Sequence, residues 1–420
     1  MKPKPKKLWM VLGIAGFILL ILAGLTAVNL NFSRQNPGGN DFLVHWVGTR
    51  ALLLDGISPY SDEAALQIQE MAYGRPARPG EHELRVAYPV YSVAVFFPFA
   101  LVNDFNLARA LWMTLLEAAL LLLTYFSIRL VNWKPSLLSL AAFFVFGVLW
   151  YHSVRPLING NAVILVALGL VGGLAALRAR MDELAGILFA LTTIKPQVVV
   201  LVVAWVLVWG ITQRRWRLVS WLVGTQVILI AVGFLLLPNW LLENLREVLR
   251  YPGYNPPGTL TAALASWFPS VGRRIGMVIS GVLALVLLVE WNYGRSKPYN
   301  AFLWTFFLTL TVSQWIGIQT DPGNFIVLLP ALALVYATWE ARWRNTGKTL
   351  TGVNLLILLV GIWWLFISTV SYGDQPQQSA LLFLPLPAYL LVTLYWIRWW
   401  AVSPPATLYE PIAADDEELF

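Results

Sequence analysis

Apolar runs about as long as a bilayer's hydrocarbon core recur between residues 8 and 400, separated by short polar links. A backbone crossing lipid has to satisfy its own hydrogen bonds, so each run is expected to be a helix. On that rule the chain holds about twelve spans: 8–30, 87–102, 105–130, 136–152, 158–177, 184–209, 218–237, 272–290, 299–318, 323–339, 350–370 and 380–400. The fold class expected is all-α, a polytopic transmembrane helical protein. With 58% hydrophobic and only 12% charged residues, a soluble globule of 420 residues is excluded. The net charge of +7 is divided among short clusters between the runs, where it orients helices in a bilayer, so nucleic acid is not expected as a partner. Trp363-Trp364, Tyr395-Trp396 and Trp399-Trp400 stand near run ends, where an amphipathic ring gains from headgroup depth. The absence of cysteine excludes disulfides, thiolate nucleophiles and cysteine metal sites.

The first run follows Lys2, Lys4, Lys6 and Lys7, exceeds the usual core of a signal peptide and lacks an evident small-x-small cleavage site. It is expected to be an uncleaved anchor. A cytoplasmic N-terminus then puts Arg214-Arg215-Trp216-Arg217, Arg295 with Lys297, and Arg342, Arg344 and Lys348 inside as well, as the positive-inside rule favours. The same alternation places the two long links, 31–86 and 239–270, outside, and the acidic tail Asp415–Glu418 inside. Loss of the short run at 136–152 would invert every later link. The organisation expected is a core over 1–270, completing helices over 271–400 and a cytoplasmic tail over 401–420.

The link at 31–86 is no floppy linker. Asp41, His45, Thr49 and Leu52 follow at helical spacing, Gly56 and Pro59 end that stretch, and a second helical stretch runs from Asp62 to Met71. Trp240 to Leu249 has the same interfacial character, before an ordered turn from Tyr251 to Gly258. An acid straight after the first span is conspicuous in a chain with few carboxylates, yet Asp41 could equally cap its helix. Lys195 is the costliest residue, since a charge near mid-membrane costs at least about 2.5 kcal/mol and normally faces a cavity or a partner. Pro196 breaks the helix beside it, and Glu117 in the third run is the alternative partner.

Four pieces carry a family resemblance: Asp41-Phe42 with Gly56-x-x-Pro59-Tyr60, Tyr88-Pro89, Asn159-Gly160-Asn161, and Lys195-Pro196-Gln197. In this order, over about the first 200 residues, the chain resembles the C-type (GT-C) integral-membrane glycosyltransferases, most closely glycosyltransferase family 87, which includes actinobacterial mannosyltransferases. His45 stands where an aromatic is more usual, Tyr88-Pro89-Val90 replaces a Tyr-Pro-Pro, and Asn159-Gly160-Asn161-Ala162 replaces a Gly-Gln-x-Asn-like run. These departures bear on acceptor and sugar more than on class.

The resemblance implies a GT-C fold and inverting transfer of a hexose, by analogy mannose, from a polyprenyl-phosphate donor. The acceptor would be a lipid, glycan or protein outside a bacterial plasma membrane, and Asp41 the catalytic base. Such a displacement needs a base for the acceptor hydroxyl and a cation for the departing phosphate. The phosphate candidates are Lys195, Arg50, Arg85 and Arg155, with interfacial snorkelling as the ordinary alternative for the arginines. The substrate-binding candidates are His45, Tyr60, Tyr88, Asn159, Asn161, Gln197, Gln314 and Asp321, although Asp321-Pro322-Gly323-Asn324 is also a plain turn sequence. Asp55 and Asp62 read as turn and cap residues, and His82 and His152 carry no comparable context. No cofactor is expected. Asp41 with His45 supplies too few ligands for a metal, so metal independence is expected too. Membrane lipids are the other partners, and the oligomeric state is not read. A transporter or flippase would also explain the spans and Lys195, but no second copy of these pieces is found. A glycan polymerase or ligase would share the donor chemistry without requiring an acid after the first span.

Overall fold

The computed structural model describes residues 5–255, 258–317, 321–372 and 376–402. Lys2, Lys4, Pro256, Pro257, Gln319, Thr320 and the acidic tail Asp415–Glu418 lie outside the described residues. The α-helices are, in order, α1 (Pro5–Gln35), α2 (Asn40–Arg50), α3 (Asp62–Tyr73), α4 (Val93–Ala100), α5 (Phe105–Leu130), α6 (Leu137–Leu149), α7 (Tyr151–Asn159), α8 (Val163–Arg178) and α9 (Asp182–Leu191). They continue with α10 (Pro196–Thr212), α11 (Trp216–Leu236), α12 (Trp240–Arg250), α13 (Leu260–Trp267), α14 (Gly272–Gly294), α15 (Tyr299–Ile316), α16 (Leu329–Thr369) and α17 (Pro385–Val402). A two-residue ladder pairs Ser371–Tyr372 with Pro376–Gln377. Among the described residues seven helical segments are long and apolar enough to cross a membrane, and Val90–Ala100, Val163–Arg178 and Pro196–Thr212 are shorter apolar helices. The chain is an all-α polytopic membrane protein.

The end of α1 is fixed to the start of α5 by polar contacts. Thr26 Oγ1 lies 3.0 Å from Thr114 Oγ1, Asn29 donates to Glu117 at 2.8 Å, and Ser33 donates to Asn106 at 3.1 Å. Ser33, seven residues after Thr26, meets Asn106, eight residues before Thr114, so the two helices are antiparallel. Glu117 is thereby engaged by Asn29 and is not the partner of Lys195.

Two expected spans come out differently. The run at 87–102 folds as a 3-10 turn, Val90–Ser92, followed by α4. Its end returns to the surface helix α2: Trp46 Nε1 donates to the Phe99 carbonyl at 3.0 Å, and Arg50 to the Ala100 carbonyl at 2.6 Å and to Asn103 at 3.2 Å. Residues 36–109 therefore form one folded segment at one end of the bundle. One face of α4, with Phe96 and Ala100, is buried in protein, while Phe97 and Leu101 are 45% and 58% exposed.

The run at 184–209 is divided in two. Pro196 has no N–H to continue a helix, and it forces the residue before it out of the helical region, so Lys195 sits at φ −128°, ψ 71°. A 3-10 turn, Thr192–Ile194, ends α9, and α10 then starts with Pro196 in its first turn. Alongside α9, α11 runs parallel, with Asp182 paired to Arg215 and Thr193 bonded to Gln226 at 2.9 Å. Because Arg215 also donates to the Leu177 carbonyl at 3.2 Å, α10 must double back to the end where α9 began. One expected crossing is replaced by a return, and one becomes an antiparallel pair, so the later helices keep the directions alternation assigned them.

The basic clusters gather at the opposite end from Asp41. Gln213 donates to the Arg295 and Lys297 carbonyls at 3.2 and 3.3 Å, Arg398 pairs with Glu290 at 2.6 Å, and Arg342 lies over the Trp400 ring. Within α16 the chain reverses at Arg344 (φ 47°, ψ −114°), so its two arms correspond to the runs expected at 323–339 and 350–370.

The chain lacks cysteine, so single thiols report the path of α4 directly. Arg78→Cys and Asn103→Cys are expected to react with a membrane-impermeant maleimide from the same side of sealed vesicles. Labelling from opposite sides would restore a crossing at 87–102.

Candidate active site

The site is built where α2, the α7–α8 turn and the α9–α10 break converge. The α7–α8 turn requires Gly160, whose φ of +70° is left-handed and whose added Cβ would lie 2.5 Å from Phe42 Cβ. The turn closes with Asn161 N–H on the Pro156 carbonyl at 2.7 Å, leaving the Asn161 side chain facing α2 and Lys195. Its Oδ1 accepts from Val163 N–H at 2.9 Å and from Lys195 Nζ at 2.6 Å, and its Nδ2 donates to Asp41 Oδ2 at 2.9 Å. The amide orientation follows from chemistry: an N–H and an ammonium can only donate, so the atom facing them is the oxygen. The NH₂ group must then face the carboxylate.

Asp41 is held by its neighbour. Phe42 is fully buried and stacks on Trp112 at 5.5 Å, while Trp112 Nε1 donates to the Gly160 carbonyl at 2.8 Å. Before it, Gly38 and Gly39 carry the chain over Arg109, which is 1% exposed and donates to the Asn36 carbonyl at 2.7 Å and the Ile158 carbonyl at 3.3 Å. Arg109 thus fixes the start of α2 against the end of α7. The helix begins at left-handed Gly39 with no side-chain cap, so Asp41 is not acting as a cap. Burial raises its carboxyl above the ordinary 3.8. The Lys195 charge opposes that rise, Asp321 adds to it, and the Asn161 hydrogen bond and Arg155 pull it down.

Tyr88 forms the roof over Lys195, whose Nζ lies 5.3 Å from the ring centroid. Its hydroxyl is 3.4 Å from Asn161 Oδ1, and its carbonyl accepts from the Tyr60 hydroxyl at 2.7 Å. His45 packs between Tyr88 at 4.0 Å and Phe96 at 4.6 Å; burial first, and Lys195 second, push its pKa down to about 3, so it is neutral. Tyr60 and His45 thus support Tyr88 from behind.

The other sequence candidates are placed further out. Arg155 lies 3.8 Å from Asp321, which also accepts from Gln378 at 3.0 Å and from Gly323 N–H at 2.6 Å. Both charges reach Asp41, and Asp321 also caps the turn Pro322–Leu328. Gln314 turns to its own helix, donating to the Leu310 carbonyl at 3.1 Å. Gln197 stands in the first turn of α10 beside Lys195, and no hydrogen bond joins the Asn159 or Gln197 side chain to the cluster among the described residues. Arg50 follows Asp41 by nine residues, half a turn out of phase, and bonds to the α4–α5 link. Arg85 is buried between Asp62 at 2.7 Å and Glu247 at 2.8 Å, locking the first long link to α12. Among the described residues no three His, Asp or Glu side chains converge as metal ligands would.

Sequence reasoning missed Arg109, Tyr251 and Gln378. Tyr251 stands close enough to the site that, after burial, the Asp41 and Asp321 charges raise its phenol further. The aromatic character of Tyr251-Pro252-Gly253-Tyr254 was the available signal.

The family model for glycosyltransferase family 87 matches residues 87–314, more than half of the chain. The match takes in Tyr88, Asn161, Lys195, Gln197 and Gln314 and begins after Asp41, His45, Arg50 and Tyr60. No curated protein and no solved structure matches the chain. A matched segment that supplies Asn161 and Lys195, in a helical membrane bundle, assigns the chain to glycosyltransferase family 87, and it is a membrane glycosyltransferase.

Proposed function

We propose that the protein transfers a hexose, mannose by family analogy, from a polyprenyl-phosphate sugar to an acceptor hydroxyl, with inversion. The observation carrying this reading is the Asn161 amide, with Asp41 at its nitrogen and Lys195 at its oxygen. An in-line displacement puts nucleophile and leaving group on opposite faces of the anomeric carbon, so base and cation have to be near each other without pairing directly. The amide is suited to that separation. Asp41 takes the acceptor proton as the acceptor oxygen bonds to the anomeric carbon. The bond from that carbon to the phosphate oxygen breaks, and its electron pair leaves with the polyprenyl phosphate. Lys195 has three N–H groups, of which Asn161 takes one, so two are available for phosphate oxygens. Arg155 is the second phosphate candidate, because its charge also reaches Asp41. Gln197, Gln314, Asn159 and Asp321 are proposed to line the sugar site from α10, α15 and the two turns.

The gathering of the basic clusters at the end opposite Asp41 supports a site facing away from the cytoplasm, with both termini cytoplasmic; the bacterial plasma membrane is proposed by family analogy. About twelve crossings would then be counted, with α9 and α10 separate and α4 omitted.

In proteoliposomes supplied with polyprenyl-phosphate hexose, Asp41→Asn is expected to lower transfer by about 10²- to 10⁴-fold while donor binding persists. Lys195→Met is expected to weaken donor binding. Normal transfer by the first variant, or unchanged donor affinity in the second, removes the corresponding role.

The pH profile adds an independent check. A base has to be ionised, so activity is expected to hold above the raised Asp41 pKa and fall as pH drops through it. Asn161→Ala removes a hydrogen bond that lowers this pKa, so its acid limb is expected at higher pH, with the maximal rate about 10²-fold lower. An acid limb that does not move would show that Asn161 does not tune Asp41.

A further inference from the structure

An open cleft of about 730 Å³ lies between α3 with the loop that follows it and the Arg250–Asn255 turn. Its size is that of a small-molecule site. Its walls are locked before any ligand arrives: Arg85 joins Asp62 to Glu247, and Arg250 pairs with Glu83 at 2.6 Å. A cleft held in this way loses little freedom on binding.

The lining specifies the chemistry of the occupant. Arg78 presents a guanidinium, Asn255 an amide and Tyr254 a ring face, while Gln69, Glu83 and Gln378 add polar groups already bonded to the Glu83 carbonyl and Ala77 N–H, to Arg250, and to Tyr151 and Asp321. Among the described residues Leu66 is the one long aliphatic side chain in the lining, so an acyl chain would meet polar groups it cannot satisfy. A polyhydroxylated ring suits these walls, because each hydroxyl both donates and accepts and an apolar ring face can lie on an aromatic. The Tyr254 hydroxyl beneath this wall is buried and has no hydrogen-bond partner among the described residues.

The floor leads to the catalytic cluster. Gln378 accepts from the Tyr151 hydroxyl at 2.7 Å and donates to Asp321 at 3.0 Å, and the Asp321 charge reaches Asp41. On the other wall, Tyr254 meets Tyr251 edge-on at 5.5 Å, and Tyr251 senses both Asp41 and Asp321. We infer that this cleft receives the acceptor as a saccharide headgroup, holding its hydroxyls so that one reaches Asp41. The inference rests on the proposed role of Asp41 as base.

Leu66 is 48% exposed and takes no part in the catalytic cluster, so Leu66→Cys gives a handle in the cysteine-free chain. The thiol is converted to a methyl disulfide or to a bulky maleimide adduct, in native membranes containing endogenous acceptors. Transfer of label from polyprenyl-phosphate [¹⁴C]hexose is measured there, and retention of the donor is measured on the purified protein. The bulky adduct is expected to cut transfer by about tenfold or more, and the methyl adduct by less, with donor retention unchanged by either. Transfer unaffected by the bulky adduct overturns the inference, as does loss of donor retention, which would make the cleft a donor site. Label is expected in extractable glycolipid or in soluble glycan, the two sources of a saccharide head, and label in precipitated protein overturns the saccharide class. Asp41→Asn separates the two ideas. If it transfers normally while the bulky adduct blocks, the base role fails and the cleft stands; if it is inactive while the adduct has no effect, the cleft fails alone.

Discussion

One side-chain amide fixes the geometry on which the site depends. Asn161 Oδ1 is held by two groups that can only donate, Val163 N–H and the Lys195 ammonium, so its NH₂ is committed to Asp41. Neither charge is free to swing to the other. Each residue at this junction is delivered by a local rule: left-handed Gly160 ends α7, Pro196 breaks the chain after Lys195, and Gly39 starts α2 without a cap. The three breaks in regular structure coincide, and the polar groups they free are consumed by one another.

Around this junction, two buried arginines hold the surrounding elements together. Arg109 binds the end of α1 to the end of α7, and Arg85 ties the first long link to α12. A buried guanidinium with two carboxylate partners is costly to disrupt, since removing one partner leaves an uncompensated charge. These arginines are structural anchors, and Lys195 with Arg155 is left facing the site. That division of labour explains why a chain with few charges places several of them in protein rather than at the membrane surface.

Much of this was legible in the sequence. The apolar runs, the surface helix at Asp41, the break at Lys195-Pro196 and the shared end of the basic clusters all follow from local patterns of composition and turn chemistry. The path of α4 was not legible, because hydropathy records that a segment is apolar and not whether it crosses or turns back. Arg85 read as a phosphate candidate and Glu117 as a partner for Lys195, because the pairings they make, across 162 and 88 residues, leave no local trace. Gln378 and Arg109 were invisible for the same reason: their roles exist only once distant helices meet. Asp41 itself needed the fold, since an acid in a first helical turn is a cap or a base according to what faces it.

The most direct test of the account is a cryo-electron microscopy structure with a non-hydrolysable polyprenyl-phosphonate hexose bound. The phosphonate is expected within about 3 Å of Lys195 Nζ, with the anomeric carbon between it and the Asp41 carboxylate and Asn161 still joining the two residues. A phosphonate bound at Arg85 or Arg50, with the sugar away from Asp41, would contradict the central claim.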